Sequence, residues 1–176
     1  VKMSKARKLR PLSVTADDTY SSSEVARIAD VSLRQLQWWD EQKVVSPRHE
    51  GHKRMYLAQE VIEISLIAEL RRKGFSLQKI RQVLEFLQRE LGDRLPEVLT
   101  GNSDLHLLTD GKSVYLEQNH EQIVDILKSA MQPMFLVCVT DQVRRLGELR
   151  LPGAAPKKPQ RSVEFNSKPG SVRYGS

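Results

Sequence analysis

Apolar residues recur along this chain with helical spacing in its middle and with strand-like runs in its second half. Val61, Ile64, Ile67, Ala68 and Leu70 form one broad apolar face, which predicts a helix from about Gln59 to Lys73. Gly74 supplies the left-handed residue that commonly closes a helix, and Ser76 can cap the next one. That next helix carries Leu77, Ile80, Leu84, Leu87 and Leu91 at alternating steps of three and four, a seam of two heptads. Gly92 and Pro96 predict its end.

Further on, Leu105–Thr109 and Lys112–Leu116 are strand-like and flank Asp110-Gly111, a two-residue hairpin signal. Asn119 to Gln122 opens a helix with Ile123, Ile126, Leu127 and Ala130 on one face. After Pro133, the apolar run Met134–Thr140 is bounded by turns and reads as a buried strand. The pattern predicts a small β-β-α-β unit over 98–150. Residues 1–19 lack apolar periodicity, and 151–176 are rich in Pro, Gly, Ser and Lys, so both read as disordered basic tails.

The stretch from Tyr20 to Tyr56 is denser in signals. Ser21-Ser22-Ser23-Glu24 and Ser32-Leu33-Arg34-Gln35 each have the spacing of a capping box, in which a hydroxyl and a side-chain carbonyl satisfy orphan helix donors. Ala29-Asp30-Val31 makes a tight turn between two short helices, and Arg48 to Tyr56 forms a basic hairpin turning at Gly51. This is the pattern of a winged helix-turn-helix, whose second helix has the size to enter a DNA major groove. Helical geometry sets Leu33, Leu36 and Trp39 toward the core and Arg34, Gln37 and Trp38 outward. Arginine can grip phosphate or read guanine, glutamine can pair with adenine, and an indole N–H can reach a phosphate. Arg48, His52, Lys53 and Arg54 place cationic donors on the wing, suited to phosphate or minor-groove contact. Tyr56 can bond a phosphate or close the base of the wing.

These residues resemble the DNA-binding domain of the MerR family of bacterial transcriptional regulators over Tyr20 to about Gly92. Glu24-Val25-Ala26 fits the family's first helix; Val31, Ser32, Arg34, Leu36, Trp38, Trp39 and Asp40 fit its recognition helix. Gly51, Arg54 and Tyr56 fit the wing, and Gly74-Phe75-Ser76-Leu77 with Ile80-Arg81 fits a downstream motif. Gln37 stands where the family usually has Arg, the aromatic pair is Trp38-Trp39, and Lys53 replaces a wing aromatic. The resemblance implies a DNA-contacting set of Ser32, Arg34, Gln37, Trp38, Arg48, His52, Lys53, Arg54 and Tyr56.

Charge sharpens this picture. The net charge of +6 is concentrated at the ends: residues 1–19 hold five Lys or Arg against two Asp, and 151–176 hold five against one Glu. Such tails add salt-sensitive attraction to phosphates, or serve only solubility. The absence of an apolar run near the roughly 18 residues of a membrane helix leads us to expect a cytoplasmic protein without membrane contact. A single cysteine, Cys138, allows no internal disulfide or thiolate cluster. His49-x-x-His52 offers too few donors for zinc, which needs three or four converging ligands. No Gly-rich phosphate loop, nucleophile elbow or HExxH helix is present, so no catalytic residue, cofactor or metal is expected.

The expected fold is therefore α+β: a winged helix-turn-helix over 20–92 with two additional helices, then the β-β-α-β unit. The expected function is sequence-specific binding of double-stranded DNA at promoters as a homodimer, with no metal effector. RNA polymerase or another protein is a further candidate partner. Because Gly92 and Pro96 are expected to cut short the helix that family members use as a coiled coil, dimerisation is assigned to 98–150. Two alternatives remain open at this point: an architectural or excision-type DNA binder, and an antitoxin-like interaction protein.

Overall fold

The computed structural model describes residues 14–100, 104–149 and 163–165. Six helices and two small antiparallel sheets are found among them. The first sheet has the order β1-β3-β2, from β1 (Thr19–Ser21), β2 (Arg48–Glu50) and β3 (Lys53–Leu57). Around it stand α1 (Ser22–Ala29), α2 (Leu33–Glu41), α3 (Ala58–Arg72) and α4 (Leu77–Thr100). The second sheet has the order β5-β4-β6-β7, from β4 (His106–Thr109), β5 (Val114–Glu117), β6 (Met134–Cys138) and β7 (Val163–Phe165). One face of this sheet carries α5 (His120–Ser129); α6 (Val139–Leu149) returns into the first half of the molecule.

α3 lies at the centre. Every residue from Val61 to Leu70 is buried, because the helix is covered on several sides by α1, α4 and α6. Val139, Val143 and Leu146 of α6 join the same core cluster as Val25, Leu36 and Trp39, so the two halves share one apolar interior. A second, smaller cluster of Leu108, Ile123 and Met134 lies between the sheet and α5. The link between the halves is reinforced where Phe75 meets Phe135 edge-on at 6.0 Å. Gly111 docks there too: a Cβ at this position would come within 2.8 Å of the Lys79 side chain.

Several expectations are corrected. α4 does not end at Gly92 or Pro96; it continues to Thr100 with the proline inside it. Proline removes one hydrogen bond and crowds the carbonyl four residues back. That carbonyl belongs to Gly92, and Leu95, Val98 and Leu99 are buried beyond it, so packing outweighs the local defect. The seam Ile80–Leu91 is buried within the chain rather than offered to a partner. The hairpin after β4 turns through four residues, not two, since Thr109 pairs with Val114. There the Asp110 carboxylate accepts from the backbone of Lys112 and Ser113 at 2.8 and 2.7 Å. The run Met134–Thr140 is a strand only to Cys138, and α6 begins at Val139.

The tails differ from expectation as well. Val14 is buried, and Thr15 to Asp18 form a turn closed by Thr15 N–H to Asp18 Oδ2 at 2.9 Å. Within 151–176, Val163–Phe165 forms β7, antiparallel to Met134–Leu136 of β6. Residues 1–13 and the remainder of 151–176 lie outside the described residues.

Candidate nucleic-acid interface

Local chemistry places the two short helices. Ser21 caps α1 reciprocally: Glu24 N–H donates to Ser21 Oγ at 3.4 Å, and Ser21 N–H donates to Glu24 Oε2 at 2.7 Å. Asp30 leaves α1 in the left-handed region at φ 53°, a conformation that Asp tolerates better than most residues. Ser32 then caps α2, its Oγ accepting from Gln35 N–H at 3.0 Å. Its hydroxyl thus orders the first turn of α2.

α2 is two-faced. Leu36 and Trp39 are each 1% exposed and anchor it to the core. Arg34, Gln37 and Trp38 are exposed, as their helical phase requires. Gln37 donates to Glu41 Oε1 at 2.8 Å, one turn along the same surface. Leu33 is corrected: at 53% exposure it joins the outward face, because nothing in the core reaches the first turn of so short a helix.

Two arginines that sequence reasoning gave no role fix the orientation of this helix pair. Arg72 of α3 donates to the carbonyls of Ala29 and Asp30 at 2.7 and 2.9 Å, and to Glu69 Oε1 at 2.9 Å. Arg81 of α4 donates to the Gln42 carbonyl at 3.0 Å, just past the end of α2. Each guanidinium thus sits at a helix C-terminus, where unpaired carbonyls concentrate negative charge. The only signal for Arg81 in the sequence is its place in the Ile80-Arg81 motif; Arg72 has none.

The hairpin β2–β3 is tight, Glu50 pairing with Lys53 across Gly51 and His52. Gly51 has φ 63°, which L side chains rarely adopt. Arg48, His52 and Lys53 are exposed on it. Arg54 is engaged instead: its Nε donates to Asp40 Oδ2 at 2.6 Å, and this bond holds the guanidinium pKa above its ordinary value. His49 Nε2 lies 3.6 Å from the same oxygen. Tyr56 is fully buried, paired across the sheet with Tyr20. Burial pushes its phenol pKa up, opposed by the neighbouring Ser22 hydroxyl. Tyr56 closes the base of the hairpin, with its hydroxyl buried rather than on the surface.

Ser32, Arg34, Gln37, Trp38, Arg48, His52 and Lys53 are therefore on the surface, with Arg54 half-buried between helix and wing. Among the described residues no three His, Cys, Asp or Glu side chains converge as a metal site. Cys138 is half-buried, and desolvation pushes its thiol pKa up, against a reactive thiolate. No helix among the described residues is long and apolar enough to cross a membrane.

A short capped helix with an exposed polar face is thus anchored from behind and flanked by a basic hairpin. Residues 20–87 match the MerR HTH family of regulatory proteins. The chain is also similar to HTH-type transcriptional regulators of Mycobacterium bovis and Mycobacterium tuberculosis, whose own roles are uncharacterized. Identity is 27% over 133 residues, covering 72% of this chain and 55% of each relative. The chain thus spans about half the length of those curated relatives. The aligned stretch is longer than residues 20–87, so the likeness extends past the family match.

Proposed function

We propose that the chain is a sequence-specific regulator that acts in the cytoplasm as a homodimer on promoter DNA, through a winged helix-turn-helix. α2 enters the major groove with Arg34, Gln37 and Trp38, while Arg48, His52 and Lys53 of the wing hold the flanking backbone. Ser32 serves from the α2 N-terminus, and Arg54 acts by fixing the wing. The observation that carries this reading is the division of α2 into a buried Leu36–Trp39 face and an exposed Arg34–Gln37–Trp38 face. A single cysteine leaves no thiolate cluster to hold a metal effector, which supports a regulator that needs none.

The test is a genome-wide map of bound sites, followed by footprinting of the recovered DNA with the native chain and Arg34→Ala. Two-fold-related sites within promoters are expected. Loss of a bidentate base contact should weaken specific binding by roughly 1–3 kcal/mol and leave non-specific binding nearly unchanged. Sites confined to recombination junctions would replace regulation with an architectural role. A folded Arg34→Ala variant with native affinity would remove Arg34 from the interface.

A further inference from the structure

Among the large hydrophobic side chains that stand exposed, Leu33 and Trp38 lie on α2. Trp38 shows 38% of its surface, whereas Leu33 is 53% exposed in the first turn of the helix. A single apolar side chain on a surface is ordinary, and what sets Leu33 apart is its position. Resting on the major-groove reading just proposed, we infer that Leu33 is a specificity-determining residue. Its isobutyl group packs on the 5-methyl group of one thymine and so selects an A·T pair at that place.

Leu33 is not needed to anchor α2. Val31, just before the Ser32 cap, packs against the same core cluster that holds Leu36 and Trp39. The chain is therefore held by apolar contacts on both sides of the cap without Leu33. At 3.6 residues per turn, Leu33 lies one turn before Gln37 and about 40° away around the helix axis. Glu41 follows one turn later, and all three side chains are exposed. They form one stripe that begins at the N-terminal end of α2, the end of a recognition helix that meets base edges.

Thymine alone among the four bases presents a methyl group in the major groove, and an apolar side chain reads it without a hydrogen bond. Cytosine at the same place would set its N4 amino group against the leucine, and a polar group desolvated without a partner is costly. Gln37 has the complementary chemistry, since its carboxamide can bond both N6 and N7 of adenine. Its Nε2 donates to Glu41 Oε1 at 2.8 Å, which holds the amide on the stripe that begins at Leu33. Leu33 and Gln37 thus favour A·T over G·C by two separate means, a methyl contact and an amide pair.

The experiment measures binding of the full chain to a duplex recovered from the map of bound sites, each thymine replaced in turn by deoxyuridine. That replacement removes the methyl group and keeps every hydrogen-bonding group. Native protein should lose about fourfold in affinity at one thymine position, the worth of one buried carbon. Leu33→Ala and Leu33→Gln should bind the thymine duplex more weakly and no longer distinguish the two duplexes at that position. Leu33→Met, still apolar, should retain the discrimination. Thermal unfolding run alongside shows which variants are folded, and either loss variant suffices for the comparison. A folded Leu33→Ala or Leu33→Gln that keeps the native thymine-to-uracil ratio overturns the role of Leu33. So does a native chain indifferent to every deoxyuridine, and in both cases binding that still depends on Arg34 leaves the major-groove reading in place. A native chain indifferent to base sequence altogether overturns both.

Discussion

Arg54 of the hairpin donates to Asp40 in the last turn of α2 over 2.6 Å, although fourteen residues separate them. The carboxylate is largely sheltered and also faces His49 at 3.6 Å. A charge-assisted bond of this length fixes the angle between α2 and the hairpin, the two parts proposed to meet DNA. Arg54→Ala and Asp40→Asn are each expected to lower DNA affinity without altering base preference. Their double-mutant cycle should show a coupling of about 1 kcal/mol in binding. Additive losses would mean that the two residues act separately.

Arg72 and Arg81 hold the C-terminal carbonyls of α1 and α2. Arg72→Ala also removes one partner of the buried Glu69 carboxylate, so it should cost more than Arg81→Ala. Expected losses in urea unfolding are roughly 2–3 kcal/mol for Arg72→Ala and about 1 kcal/mol for Arg81→Ala. Equal, negligible effects would show that neither arginine supports the helix pair.

Glu63 is buried in α3, receiving Gln59 Nε2 at 2.9 Å and Gln88 Nε2 at 3.4 Å. Desolvation nevertheless holds its pKa above the ordinary carboxylate value. A raised folded pKa contributes stability below the unfolded pKa, and that stability is lost as pH rises through the folded value. Glu63→Gln should therefore stabilise the protein by about 1 kcal/mol at pH 7. The gain should shrink toward pH 4. Thermal melts of both proteins across this range check the sign; a pH-independent difference would assign the effect to packing.

Cutting the chain after Gly92 would remove Leu95, Val98, Val139, Val143 and Leu146 from the shared core. The α3 surface under α6 and the α4 surface under the second sheet would then face water. The fragment is expected to unfold without a cooperative transition, or with a midpoint lowered by at least 10 °C, because several large apolar side chains lose their cover. A fragment that melts like the full chain would show that 20–92 is energetically independent.

Sequence alone determined what depends on neighbours within a few residues. Ser21, Glu24 and Ser32 act on donors three positions away, so the two helix starts were legible directly. Gly51 with its flanking bases marked the hairpin, and the period of Val61–Leu70 marked α3. Tertiary structure decided the rest. Pro96 and Gly92 are poor helix residues locally, yet α4 runs through them because their apolar neighbours are buried. α6 escaped notice because its first apolar residue, Val139, continues the run of β6, hiding a change of period from two to 3.6. The placement of Leu33 outside, Tyr56 inside, and Arg54 on Asp40 rests on contacts distant in sequence. Local chemistry can form the pieces of the proposed DNA-reading surface, but only packing across the chain sets which side chains remain on it.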